Sequence, residues 1–268
     1  MNSNIHFKQK PSKFFLHLCK STAKAIKQYH MIEEKDRLLV GISGGEDSMM
    51  LMHVLQRLQQ RAPIHFELIP ALINMNFTGF NVNAVQKYCQ QQKWNLQIVT
   101  LDGQEILEQH QAGNKPCPMC SRLRRGKLHG LADKLHCNKI VLGHHLDDIC
   151  VSFLLALFRG GGLKTMGVNV PADAQSKQLI RPFCFSTKET IHTVAETFDL
   201  PKIQSCPFET QLKEHGDRFY LENLLKSLNL KFPYIRSAML HSLSDVRLVH
   251  LLDPRYLSEL KDPDAGKL

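Results

Sequence analysis

Leu38-Leu39-Val40-Gly41-Ile42 runs directly into Ser43-Gly44-Gly45-Glu46-Asp47-Ser48, and apolar residues at helical spacing then begin at Met49, Leu51, Met52, Leu55 and Leu58. That order reads as strand, tight loop and helix N-terminus. The first amides of a helix have no partner within it, so they form an anion seat, which the hydroxyls of Ser43 and Ser48 extend. Gly44 and Gly45 let the backbone approach a phosphate with no Cβ in between. Asp47 is a candidate ligand for a divalent cation bridging phosphate oxygens. The loop lacks the spacing and terminal lysine of a Walker A sequence, and it is not GxGxxG. A Gly-Gly turn alone would be no more than a helix cap behind a buried strand; the complete six-residue string carries the phosphate reading.

Moving outward, Phe66–Ile73, Leu96–Leu101, Lys139–Gly143 and Leu179–Phe183 read as further strands, with Pro70 signalling a bulge in the first of them. Helical patterns over Val85–Lys93, Leu128–Leu135, Phe153–Phe158 and Thr187–Phe198 separate them. Strands alternating with helices give an α/β fold, a Rossmann-like parallel sheet with helices on both faces. Ligands of such sheets sit at the carboxyl ends of the strands, where the Ser43 loop lies. Before and after this unit, residues 1–34 read as a basic helical extension, and two more helices follow Gly216.

The formal charge of +9 over 268 residues points to a polyanionic partner. Lys8, Lys10, Lys13 and His17 interrupt any apolar signal-peptide core, and the longest nearly apolar run, Ile149–Phe158, is about half of a membrane span. The expected setting is therefore cytoplasmic, with no membrane association. Eight cysteines are too few for a disulfide scaffold at this length, so clustered ones suggest metal or redox chemistry.

The cluster is Cys117-Pro118-Met119-Cys120, followed by Ser121-Arg122-Leu123-Arg124-Arg125-Gly126-Lys127. The arginines favour thiolate forms. Four readings stand. A thioredoxin-type dithiol would follow a strand; a structural zinc site would want four ligands, and no second CxxC exists. Core cysteines are the default for Cys19, Cys89, Cys137, Cys150 and Cys184. The fourth reading is an iron–sulfur cluster on three cysteines. Downstream, His144-His145-Leu146-Asp147-Asp148 ends a strand; Asp147 and Asp148 are candidates for metal binding or general acid/base work, with helix capping as the structural alternative.

Ser43–Ser48 resembles the PP-loop, SGGxDS, of the ATP pyrophosphatases. Taken in order with Cys117-Pro-Met-Cys-Ser-Arg-Leu-Arg-Arg-Gly, Gly143-His-His-Leu-Asp-Asp, Arg181-Pro182 and the late Cys206, it resembles the TtcA family of tRNA 2-thiocytidine synthetases over roughly residues 15 to 255. The resemblance implies ATP-dependent replacement of the 2-oxo group of an anticodon-loop cytidine by sulfur. It also implies a PP-loop ATP-binding α/β domain at 35–205 and a C-terminal helical region at 206–268. The implied cofactors are ATP, Mg²⁺ and a [4Fe-4S] cluster on Cys117, Cys120 and Cys206. Implied partners are tRNA and a sulfur donor such as a cysteine desulfurase, with a homodimer compatible.

In that scheme Ser43, Gly44, Gly45, Glu46, Asp47 and Ser48 hold the nucleotide, and Arg124, one turn past Cys120, neutralises the leaving phosphate. Arg122, Arg125, Lys127, Arg159 and Lys164 would extend a phosphate track for tRNA, and Phe77 or Phe80 would stack an extruded base. Three positions depart from the family. Glu46 replaces the usual lysine and sets a carboxylate against phosphates; Leu146 replaces a polar residue; Glu209 stands where a second late cysteine is common. Two rivals remain: a PP-loop enzyme adenylating another substrate with zinc at the cysteines, or an RNA-binding paralogue without catalysis.

Overall fold

The computed structural model of the chain describes residues 11–109, 116–172, 177–203 and 216–256. Six strands form one sheet in the order β3-β2-β1-β4-β6-β5. These are β1 (Arg37–Gly41), β2 (Glu67–Asn74), β3 (Gln97–Thr100), β4 (Lys139–Val141), β5 (Asn169–Pro171) and β6 (Gln178–Ile180). All pairings are parallel except β5 on β6. β5 was missed in the sequence because three residues that include Pro171 carry no periodic signal. β6 ends at Ile180, and the expected strand continues instead as a 3₁₀ turn over Pro182–Phe185.

Leu38, Leu39 and Val40 are fully buried because both faces of the sheet are covered. Alternation divides them. Leu39 joins Ala71 and Ile140 beneath α5 (Pro116–Lys134), which follows the short α4 (Gly103–Gln109), while Leu38 and Val40 join Leu72, Val141 and Ile180 on the opposite face. That second face carries α1 (Lys13–Gln28), α2 (Glu46–Gln59), α3 (Val82–Gln91) and α7 (Lys188–Ala195). The basic N-terminal helix α1 is thus a packed element: Phe15, Leu18, Cys19, Thr22 and Ala25 are buried at helical spacing, and only Phe14 of its phenylalanines faces out.

The bulge expected at Pro70 is absent. Glu67 N–H donates to Asp36 O and Ala71 O accepts from Ile42 N–H, so odd-numbered residues of β2 face β1. Pro70 turns the other way, towards β3, whose pairing opens one residue later at Ala71↔Gln97. The missing N–H therefore removes no ladder bond.

Between α1, α2 and α3, His53 is buried in an aromatic setting of Tyr88, Trp94 and Phe198, with Nε2 2.7 Å from the Tyr88 hydroxyl. Burial pushes its pKa down to about 4. An unfolded His53 takes up a proton near its ordinary pKa of 6.5 and the folded one does not, so stability is full above that pH and falls as pH drops towards 4. The loss should reach about 3 kcal/mol from this residue. Denaturant titrations between pH 7 and 4 should show a shallower acid limb for His53→Phe than for the natural protein.

A second core joins α6 (Leu146–Phe158) to a hairpin of α8 (Asp217–Lys231) and α9 (Ile235–Ser244). Leu221 and Leu225 of α8 pack on Leu146, Cys150, Val151 and Leu154 of α6. Leu146 is thereby buried beneath the hairpin.

Candidate active site

The loop after β1 is shaped by its own serines. Ser43 N–H donates to Ser48 Oγ (3.0 Å), and Gly45 N–H donates to Ser43 Oγ (3.3 Å). Ser48 Oγ–H donates to Gly45 O (2.9 Å), so the 3.1 Å contact between the two hydroxyls has Ser43 as donor. Both hydroxyls are committed to the loop's shape. The anion seat is left to the amides of Glu46, Asp47 and Ser48, which precede the first bond of α2, Met49 N–H to Gly45 O. Gly44 has φ +87°, in the left-handed region, and a Cβ there would lie 2.2 Å from Ile203 Cδ1. Gly143, just past β4, lies against the same loop: a Cβ on it would stand 3.2 Å from the Asp47 carbonyl carbon and from Ser48 N.

These two loops meet between β1 and β4, where the strand order reverses, and a cavity of about 790 Å³ opens there at the carboxyl ends of the strands. Gly45, Asp47 and Ser48 line its floor. Cys120, Arg124, Arg125 and His129 of α5 line one wall; Phe77 and Phe80 come from the loop after β2; His144 and His145 come from the loop after β4, and Asp148 from the first turn of α6. That volume suits a nucleotide-sized ligand.

Cys120 is the described cysteine that chemistry can reach. The thiols of Cys19, Cys89, Cys137, Cys150 and Cys184 are buried, and burial pushes all five upward, Cys150 and Cys184 to about 12. Those thiols are inert at neutral pH. Cys120 is half-buried at the cavity, and Cys117 belongs to the same first turn of α5. Cys206 and Glu209 lie outside the described residues, as does the side chain of Cys117.

A PP-loop domain model matches residues 17–203. A tRNA-cytidine(32) 2-sulfurtransferase from Pelobacter propionicus is 39% identical over 89% of this chain and 89% of its own length. One from Syntrophotalea carbinolica is 35% identical over 93% and 95%. The chain belongs to the tRNA-cytidine(32) 2-sulfurtransferase family. Its fold is also that of the U34-tRNA thiolase NcsA from Methanococcus maripaludis, a structure described with its [4Fe-4S] cluster. The TM-score is 0.68 at 18% identity, covering 87% of this chain and 80% of that one.

Around this family's PP-loop the charges are arranged unexpectedly. Lys188 Nζ, from the first residue of α7, lies 2.6 Å from Glu46 Oε1 and 2.9 Å from both oxygens of Asp47. His192 Nδ1, one turn along α7, lies 2.9 Å from Glu46 Oε2. Partial burial opposes ionisation of Glu46, yet Lys188 and His192 hold its carboxyl below the usual range; burial likewise opposes the Lys188 charge, and the two carboxylates raise it. The repulsion expected from Glu46 is therefore offset by a paired cation.

Two of the sequence candidates part company in the first turn of α6. Asp147 accepts from Lys188 N–H (2.8 Å) and from Arg236 Nε (2.5 Å), joining α6 to α7 and α9. Asp148 caps its own helix through His145 N–H (2.8 Å), pairs with Arg218 of α8, and also borders the cavity. Arg159, assigned to the tRNA track by sequence, pairs with Asp217, while Arg122, Lys127 and Lys164 are exposed.

His144, given no role from sequence, borders the cavity. Arg181 Nε donates to its Nδ1 (3.2 Å), and a guanidinium has no other role than donor. Burial first, and the nearby arginines, push His144 down to about 4, so the ring is neutral and its proton sits on Nε2. Only the pairing with Arg181, 37 residues away, reveals this, and no local motif encodes it.

Proposed function

We propose that this protein is an ATP-dependent tRNA sulfurtransferase that replaces the C2 oxygen of cytidine 32 in the anticodon loop by sulfur. The supporting observation is that one cavity collects the PP-loop amides, the half-buried Cys120 thiol and the Arg124 guanidinium. In the first step cytidine O2 attacks the α-phosphorus of ATP and the bond to pyrophosphate breaks. In the second, a sulfur nucleophile adds to C2 and the C2–O bond breaks, releasing AMP.

The chain's own residues bind and orient. Amides of Glu46, Asp47 and Ser48 hold phosphate oxygens, and Arg124 neutralises the charge on the leaving phosphate. His144 Nε2–H offers a donor that does not titrate near neutral pH. Asp148, the carboxylate of its pair that borders the cavity, is placed for proton transfer, and Asp147 positions Lys188 and Arg236. Phe77 and Phe80 offer faces for an unstacked base.

The donor set fits the implied cofactors. Asp47 gives a hard oxygen ligand for Mg²⁺ at the phosphate seat, and Cys120 with Cys117 and Cys206 gives soft sulfur ligands for a [4Fe-4S] cluster. When bound, the cluster supplies the sulfur-handling chemistry that no side chain here possesses. The sulfur atom itself must come from a donor such as a cysteine desulfurase. Among the described residues no helix is long and apolar enough to cross a membrane, in keeping with a cytoplasmic enzyme working on tRNA. Residues 35–205 would be the ATP-binding unit and 206–268 the region contributing the third cysteine.

Mass spectrometry of tRNA nucleosides from cells with and without the gene tests the reading. Loss of 2-thiocytidine on deletion, restored by the natural gene, is the expected result; unchanged 2-thiocytidine overturns it.

A further inference from the structure

We propose that Lys188 supplies the cation that the Ser43–Ser48 loop lacks, meeting the phosphates of the bound nucleotide while Glu46 tethers it there. This rests on ATP being the substrate of the cavity. Glu46 and Asp47, the first two residues of α2, put two negative charges on an anion seat. Lys188 brings one positive charge to both, and its three ammonium donors are directed at Glu46 Oε1, Asp47 Oδ1 and Asp47 Oδ2.

The root of this side chain is fixed. Thr187 caps α7, Asp147 accepts the Lys188 amide, and Ile191, Val194 and Ala195 are buried beneath, in the core shared with α2. The side chain is 44% exposed on a flexible stem, so the ammonium can turn about a fixed base. A divalent cation at Asp47 competes for the oxygens that Lys188 holds. Two ammonium donors then become available to phosphate oxygens, and the third stays on Glu46. His192 occupies the other oxygen of Glu46 and keeps that carboxylate facing Lys188. In this arrangement Glu46 is a positioning residue, and the substitution that removes a cation from the loop also recruits one from α7.

The test is the affinity of the full chain for a non-hydrolysable ATP analogue with Mg²⁺, by calorimetry, in two backgrounds. Lys188→Met should weaken binding about tenfold or more with Glu46 present, and still by several-fold in Glu46→Gln, where the tether is weakened but the cation remains, while Lys188→Arg retains most of the affinity. The charge swap Glu46→Lys with Lys188→Glu should return affinity to within about threefold of the natural protein. Unfolding midpoints measured alongside identify any variant that loses affinity by failing to fold, and the swap carries the test if Lys188→Met does so. A loss seen only when Glu46 is present would make Lys188 a mere neutraliser and overturn the proposal, as would no loss at all. Failure of the natural protein to bind the analogue would overturn the ATP reading itself, and this proposal with it.

Discussion

Cys120→Ala is expected to abolish tRNA thiolation and to remove the visible iron–sulfur absorbance of anaerobically purified protein, with ATP binding retained. Groups that only orient a metal ligand are worth about 10- to 100-fold in affinity, so the loss of a ligand should exceed that. The separation from ATP binding follows from the elements involved: Cys120 lines the cavity from α5, whereas the phosphate seat is the N-terminus of α2. Cys137→Ala is the matched control. Its thiol is buried under α5, pushed up by burial, and it should leave the chromophore intact. A colourless, zinc-loaded natural protein, or a Cys120→Ala protein that still forms 2-thiocytidine, would defeat the assignment.

Gly44→Ala should be nearly as damaging, for a different reason. At φ +87° an alanine is strained whatever the space, at a cost of roughly 1–3 kcal/mol, and its Cβ also meets Ile203 Cδ1. The loop relieves both by moving, and the amides of Glu46–Ser48 move with it. ATP binding should therefore fall to background, with a modest drop in the unfolding midpoint. Adding Ile203→Ala removes the contact and leaves the strain, so the pair should regain part of the stability and little of the binding. Full recovery of binding in the pair would show that crowding alone, and not the left-handed backbone, requires glycine.

Much of this was legible in the residues. The β1–loop–α2 unit follows from an apolar run meeting Gly-Gly and a helical pattern; β1 lies within a residue of that reading, and α2 starts at Glu46, three residues before the first apolar position. Cys120 and Arg124 could be brought to the nucleotide from the CxxC string and its arginines, because a helix fixes residues four apart on one side. Contacts between distant segments were not legible. Lys188 on Glu46 and Asp47 spans more than 140 residues, and Arg181 on His144 spans 37; neither leaves a local pattern. Pro70 misled for the same reason: whether a proline disrupts a strand depends on which neighbour its nitrogen faces. Glu46 reads as a loss of charge because sequence shows the carboxylate and not the cation that folding delivers to it.

The strand register has one more consequence. β1 stops at Gly41, opposite Ala71, and β4 and β6 stop one residue short of it, level with Val40, yet β2 runs on to Asn74 with β3 alongside. Three residues of overhang raise a ledge of about 10 Å on one side of the sheet. The PP-loop nestles in the resulting notch, and the ledge carries Ile73, Asn74 and the aromatic loop above it. The depth of the ligand chamber is thus set by stagger between neighbouring strands, and any change that let β3 slide back two residues would shallow it without unfolding the sheet.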